Sequence, residues 1–165
     1  MRRLDPNDAE VPDDPLDKLG ASGGVYVLVL KCAGRAFRAR VGALGVLGFR
    51  RGFYCYVGSA RTGLRARLRR HLQRTARATR WHVDYLRGRL RPLAAVTWTG
   101  QGAGECRLSQ AVAALADGSV AGFGCSDCRC RSHLYYFARD PAARLGKIRL
   151  PGTPVPLVVR MRGDK

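Results

Sequence analysis

The sequence predicts an α+β fold: a small, mostly antiparallel sheet flanked by helices. Its 165 residues, 46 % of them hydrophobic, are enough to bury one globular core. Segments with strand and helix patterns follow one another in the order β-β-β-α-β-α-β, without an internal repeat. We expect an acidic flexible leader over residues 1–22 and a folded domain over 23–150. The Pro-rich tail, 151–165, is expected to pack as an edge segment or to fray.

Four stretches have strand character. The segment "GGVYVLVLKC" (23–32) is rich in β-branched and aromatic residues and predicts a buried strand. Residues 35–58 alternate in polarity and are broken by four glycines, which indicates one or two further antiparallel strands ending at Phe53–Val57. Strands are also expected over 93–99 and 132–138.

Two stretches have helical periodicity. The first, 62–76, places Leu64, Leu68, His71 and Leu72 on one inward stripe. The second, 104–118, is expected to end at Gly118 and to bury Cys106, Leu108, Val112, Leu115 and Ala116. A short helix or turn is expected over 80–89.

The charge indicates a polyanionic partner. The net charge is +18, and from residue 21 onward 27 Lys and Arg stand against six acids. Such an excess favours nucleic acid, and arginine suits phosphate better than lysine does. DNA is the expected partner, with RNA left open, and no membrane or small-molecule cofactor is expected. Without an apolar run of about 18 residues or a signal sequence, a cytoplasmic, nucleoid-associated protein is predicted; no oligomeric state is predicted.

The segment "YCYVGSARTGLRARLRRHL" (54–72) contains the strongest functional candidates. A strand ending at Gly58 leads into a helix whose free N–H groups favour anions. Arg67 and His71 are at i and i+4 and so share one helix face. The other arginines of the helix are equally compatible with a solvated face, and Tyr26 and Tyr56 with ordinary core positions.

Several of these residues, in their order along the chain, resemble the motifs of the GIY-YIG nuclease superfamily. They are Gly24-Val25-Tyr26, Tyr56-Val57-Gly58, the pair Arg67 and His71, and Glu105 at the start of a later helix. The segment "GLRARL" (63–68) is similar to a helix in the incision subunit of bacterial nucleotide excision repair. The strings "WHVDYL", "GEC" and "GFGCSDCRCRSHLYYF" resemble a stand-alone microbial branch catalogued as domain of unknown function 123.

The resemblance implies a metal-dependent DNA endonuclease, selective for branched, flapped or damaged DNA in repair or recombination. Glu105 would hold one Mg²⁺ or Mn²⁺, and Arg67 would stabilise charge on the phosphate. Tyr26 or Tyr56, with a phenol pKa lowered by the positive field, would activate water or position it. His71 would orient the phosphate or shuttle a proton.

Nine positions are predicted to contact DNA. For His82 a structural hydrogen bond with Asp84 is the alternative. The nine are Gly58, Ser59, Arg61, Arg65, Arg69, Arg70, Arg74, His82 and His133.

Two departures from the superfamily pattern have consequences. Thirty residues separate Tyr26 from Tyr56, so an extra hairpin is expected between the two tripeptides. The superfamily's asparagine is missing, since Asn7 is the only asparagine in the chain. The candidates to replace it are Asp117, Ser119, Asp127, Ser132 and His133. The alternative function is therefore a non-catalytic nucleic-acid-binding module on the same fold.

A cysteine-rich segment carries a second hypothesis. Cys125, Cys128, Cys130 and His133 are soft ligands in a short stretch, as in a structural Zn²⁺ site. One alternative is a turn of small buried thiols; another is that Asp127 and His133 line the nuclease cleft. The close spacing favours a reducing compartment over a disulfide framework. A zinc-stapled interaction domain is the third functional hypothesis.

Overall fold

The computed structural model describes residues 14–72, 81–86, 88–100 and 102–161, and within them the chain forms an α+β domain. The strands are β1 (Gly24–Cys32), β2 (Phe37–Arg40), β3 (Val46–Phe49), β4 (Gly52–Ala60), β5 (Arg91–Trp98), β6 (Gly118–Ser119), β7 (Leu134–Phe137) and β8 (Leu157–Arg160). The α-helices are α1 (Leu64–Leu72), α2 (Glu105–Ala113) and α3 (Ala142–Leu145), and 3₁₀ turns span Pro15–Lys18, Gly42–Leu44 and His82–Leu86.

Six strands form one antiparallel sheet in the order β6-β7-β4-β1-β5-β8. The predicted fold class is therefore confirmed. Strands β2 and β3 pair with each other in a separate two-stranded sheet and form the hairpin expected between the two tripeptides. Strand β8, from the Pro-rich tail, is one edge of the large sheet.

Strand β1 is buried on both faces because it lies inside the sheet and is apolar throughout most of its length. Its even-numbered residues, Tyr26 and Leu28 among them, share a core with Leu64 and Leu68 of α1. Its odd-numbered residues share a second core with Leu108 of α2. The alternation of side chains along β1 thus assigns the tyrosine motif to the face that α1 covers.

Helix α2 is shorter than predicted. Beyond Ala113 the chain turns, and the Asp117 N–H donates to Tyr136 O, so the following residues join β7 as β6 instead of extending the helix. In the first half of α2 the buried residues are Leu108 and Ser109, whereas Cys106 is exposed. The prediction that Cys106 is a core thiol was wrong.

The predicted leader is folded at its end. Leu16 and Leu19 are buried in the core on the α1 side, so residues 14–19 belong to the domain. None of the helices in the described part of the chain is both long and apolar enough to cross a bilayer.

Candidate active site

A cleft of about 450 Å³ brings together residues from β1, β4, α1, α2 and three connecting segments. The sequence-predicted residues that line it are Tyr26, Tyr56, Gly58, Ser59, Arg61, Arg67, His82 and Glu105. Trp81 lines it too and had not been predicted, although it directly precedes His82. The two tripeptides and the glutamate, distant in sequence, therefore form one site.

The two tripeptides face each other across a strand pair. Tyr26 of β1 lies opposite Gly58 of β4 in the register. A Cβ atom at position 58 would come within 2.5 Å of the Tyr26 ring. Gly58 is therefore required by the close approach of the Tyr26 ring to the β4 backbone.

His71 supports Tyr26 from behind the cleft. Its Nε2 lies 2.8 Å from the Tyr26 hydroxyl oxygen, and its Nδ1 lies 3.7 Å from a carboxylate oxygen of Asp84. Both His71 and Asp84 are buried. Asp84 also accepts a hydrogen bond from the Trp81 N–H at 3.1 Å. Asp84, His71 and Tyr26 are thus successive neighbours, and Tyr26 lines the cleft.

The pKa values of both tyrosines lie above the ordinary value. Burial is the main cause for Tyr26 and for Tyr56, and the Glu105 carboxylate adds to it in both cases. Arg67 acts in the opposite direction but is outweighed. The expectation that the positive field lowers a tyrosine pKa was therefore wrong, because desolvation of the phenolate exceeds the attraction of the guanidinium.

Arg67 is held in place by two contacts. Its Nη1 donates to Ser59 O at 3.2 Å, and its guanidinium carbon lies 4.3 Å from the centroid of the Trp81 ring. A guanidinium stacked on an aromatic ring and tied to a carbonyl keeps few rotamers and retains several N–H donors. Arg67 therefore presents a fixed positive group to the cleft.

Glu105 is the first residue of α2, where the free N–H groups of the helix favour a negative charge. Ser59 Oγ donates to its Oε2, and His133 Nδ1 lies 2.8 Å from its Oε1. Burial raises the pKa of Glu105, but the contacts with His133 and Ser59 and the charge of Arg67 outweigh burial and lower it. Glu105 is therefore held in its ionised form.

The cleft contains oxygen ligands suited to a divalent cation. Each oxygen of Glu105 retains lone pairs beyond the contacts just described. The exposed carboxylate of Asp127 lines the same cleft. Mg²⁺ and Mn²⁺ prefer such hard donors and keep several waters, so these residues fit one ion.

Asp127 is also the candidate asparagine replacement that reaches the cleft. Ser132 is buried and bonds to backbone groups of Val120 and Leu134. Asp117 accepts from the Ala138 N–H.

The predicted DNA contacts fall into several groups. Gly58, Ser59, Arg61 and His82 line the cleft, where His82 Nδ1 accepts from the Gly124 N–H rather than pairing with Asp84. Arg65 and Arg69 are exposed on α1 and pair with carboxylates of the leader turn. Arg70 lies 3.7 Å from Asp84, and Arg74 is outside the described residues.

His133 cannot contact DNA where it lies. Its side chain is 1 % exposed and is enclosed between Glu105 and Cys128. In this position His133 offers DNA no exposed surface, unlike the predicted contacts that line the cleft. The residue instead joins the glutamate to the cysteine-rich segment.

The cysteine cluster has a different membership from the one predicted. Ligand atoms of Cys106, Cys128, Cys130 and His133 all lie within 4.8 Å of one another. Cys106, at the start of α2, is a member of the cluster in place of the predicted Cys125. The sequence feature that could have indicated Cys106 as a ligand is its position directly after Glu105.

A family model described as "Domain of unknown function DUF123" matches residues 25–149. The chain belongs to the DUF123 family. The DUF123 match runs from β1 through α3 and so includes every residue of the cleft and of the cysteine cluster. No curated protein and no solved structure matches the chain.

Proposed function

We propose that this DUF123 protein is a divalent-metal-dependent endonuclease that hydrolyses phosphodiester bonds in DNA. One observation carries the proposal: an ionised glutamate, a fixed arginine and a neutral tyrosine backed by histidine converge on one cleft. These are the groups that phosphodiester hydrolysis requires, namely a metal ligand, a charge stabiliser and a proton acceptor. The net charge of +18 favours a polyanionic substrate.

The resemblance to the GIY-YIG superfamily supports the same reaction. Among the residues that carry it, Tyr26 and Tyr56 both contact His71, and Glu105 is joined to Arg67 through Ser59. A solvated arginine face would not need Glu105 in its middle, since an ionised carboxylate repels phosphate.

Tyr26 receives a proton while it remains uncharged overall. As water attacks phosphorus, one proton of the water moves to the Tyr26 hydroxyl oxygen. The phenolic proton of Tyr26 moves at the same time to His71 Nε2, which lies 2.8 Å away. The buried Asp84 carboxylate stabilises the imidazolium that forms. No free phenolate arises, so the raised pKa of Tyr26 is compatible with this relay.

Arg67 and Glu105 act on the charges of the phosphate. The Arg67 guanidinium donates to the non-bridging oxygens, on which negative charge accumulates. Glu105, together with Asp127, would hold Mg²⁺ or Mn²⁺, and the ion would supply positive charge for the leaving oxygen. The P–O bond to that oxygen breaks, and a proton from solvent completes the alcohol.

Branched, flapped or damaged DNA is the proposed substrate class. The cleft is lined by residues of several strands, helices and loops, and its charged groups suit the phosphate backbone better than the edges of bases. Such a site selects the shape of DNA more than its sequence, and its affinity should fall steeply with salt.

A non-catalytic nucleic-acid-binding module is the second candidate function. The observation that favours it is the lack of any asparagine after Asn7, where the superfamily pattern has one in the site. In that case the arginines bind DNA and the cleft cuts nothing.

One experiment separates the two candidates. Wild type, Glu105→Ala and the control Asp17→Ala, which removes an exposed carboxylate, are incubated with labelled linear, flapped and branched DNAs and matched RNAs. Each is tested with Mg²⁺, with Mn²⁺ and with EDTA. We expect metal-dependent cuts by wild type and by Asp17→Ala and none by Glu105→Ala. Equal DNA binding by all three proteins without any cut would overturn the nuclease and support the binding module.

A further inference from the structure

The cluster of Cys106, Cys128, Cys130 and His133 has the composition of a zinc site. Three thiols and one imidazole are the ligands of a structural Cys₃His centre. A tetrahedron built on ordinary Zn–S and Zn–N bonds has edges of about 3.5–3.8 Å. His133 Nε2 lies 3.5 Å from Cys128 Sγ, and all four ligand atoms lie within 4.8 Å of one another. Small side-chain rotations therefore suffice to enclose one ion.

The histidine ligand is pre-positioned by the backbone. The His133 N–H donates to Phe123 O at 2.7 Å, and its carbonyl accepts from the Val57 N–H at 2.8 Å. The imidazole is buried, with Nδ1 2.8 Å from Glu105 Oε1 and Nε2 3.5 Å from Cys128 Sγ. A ring held in this way has one nitrogen left for a metal.

We propose that Cys106, Cys128, Cys130 and His133 bind one structural Zn²⁺, and that His133 couples this ion to Glu105. The site fastens the 120–133 loop to the first turn of α2. It also places Glu105 in the position of the carboxylate that orients a zinc-binding histidine. Zinc binding itself does not depend on the nuclease function, whereas the consequence for catalysis does.

The coupling follows from the two nitrogens of one ring. When zinc takes Nε2, the proton of His133 is confined to Nδ1, which then donates to Glu105 Oε1, 2.8 Å away. The zinc ion thereby fixes the carboxylate whose oxygens are proposed to face the catalytic metal. His133 is thus a positioning residue.

Metal analysis tests the ligand set. We expect one zinc per chain in wild-type protein, and a loss of stoichiometric zinc in Cys106→Ser and Cys130→Ser. Cys125→Ser is the matched control and should keep its zinc, since Cys125 is outside the group of four. If Cys125→Ser loses zinc while Cys106→Ser keeps it, the site proposed from the structure is wrong. Metal-free wild type that does not take up added Zn²⁺ also overturns the proposal.

Cobalt substitution gives a readout that does not depend on the folding of variants. Co²⁺ added to metal-free wild type should produce the visible absorption of tetrahedral cobalt with thiolate charge-transfer bands. Cys125→Ser should give the same spectrum. Octahedral cobalt without charge-transfer bands would overturn the assignment.

The link to Glu105 is tested through zinc affinity. Removal of the partner of a metal-binding histidine lowers affinity by about 10–100-fold. We therefore expect Glu105→Ala to bind zinc 10–100-fold more weakly in competition with a chelator, and Asp17→Ala to bind it as wild type does. Unchanged affinity in Glu105→Ala would refute the coupling. Because zinc is measured directly, loss of the nuclease proposal would leave this result intact.

Discussion

The pKa shifts differ in direction between two sides of the cleft, the tyrosine side with Tyr26 and Tyr56 and the glutamate side with Glu105. On the tyrosine side, burial raises the pKa of Tyr26 and Tyr56 and keeps both phenols neutral. On the glutamate side, His133 and Ser59 overcome burial and lower the pKa of Glu105. A neutral hydroxyl can pass a proton on, whereas an ionised carboxylate can hold a cation. Opposed pKa shifts of this kind are typical of a site with divided acid–base and electrostatic roles.

Arg67 lies between the two sides, and its removal should have the largest effect. Arg67→Ala should lower kcat/KM for DNA cleavage by about 10³-fold or more, as for other arginines in phosphoryl transfer. Arg67→Lys should restore little, because lysine lacks the planar fork that Trp81 and Ser59 hold.

Arg40→Ala is the charge-matched control, since Arg40 is on the separate hairpin and does not line the cleft. A similar loss in Arg40→Ala would mean that total charge, and not the position of Arg67, drives the reaction.

The tyrosine side is tested by a double-mutant cycle. Tyr26→Phe and His71→Gln should each reduce kcat by about 10²–10⁴-fold, the range of general base catalysis. The double variant should be no slower than the slower single variant, because both residues serve one proton transfer. Additive losses, measured in single-turnover assays, would refute the relay.

Gly58 tests how closely the tyrosine side is packed. Gly58→Ala should lower the free energy of unfolding by about 1–3 kcal/mol, since a Cβ there would lie 2.5 Å from the Tyr26 ring. Gly48→Ala, in β3, is the control because a Cβ at position 48 meets nothing within 4 Å. Urea denaturation measures both; equal effects would show that the Tyr26 contact is not responsible.

The tyrosine side could be predicted from the sequence, and the glutamate side only in part. Tyr56, Gly58, Arg67 and His71 are close in sequence, so the strand-to-helix pattern fixes their relative positions. Glu105 was predicted through the resemblance, but its partners Ser59 and His133 come from other elements. The Cys106 ligand was missed because helical periodicity gave it to the core, whereas the buried residues in the first half of α2 are Leu108 and Ser109.

The secondary structure was likewise predicted better in some segments than in others. The run of β-branched residues from 23 to 32 predicted β1 to within one residue of its observed start. The end of α2 was missed by five residues, because pairing with β7 competes with the helix from Asp117 onward. Local patterns determine local elements, and contacts between distant segments decide where they end.

The pH dependence of stability tests the glutamate side and should be the smallest effect, since the Glu105 side chain is 28 % exposed. The folded-state pKa of Glu105 lies below its ordinary value of 4.5. Ionised Glu105 therefore stabilises the fold above about pH 4.5, and this contribution is lost as the pH falls through the folded-state pKa. The difference in free energy of unfolding between wild type and Glu105→Gln should be constant near neutrality and shrink in acid.

A His133→Gln background provides the control for that measurement. His133 is the first of the groups that lower the pKa of Glu105, so the acid-dependent difference should be smaller in its absence. The four proteins are wild type, Glu105→Gln, His133→Gln and the double variant. Chemical denaturation of each at a series of pH values completes the double-mutant cycle. A difference between wild type and Glu105→Gln that grows as the pH falls would have the wrong sign for a lowered pKa. It would show that burial, and not the contact with His133, dominates at Glu105.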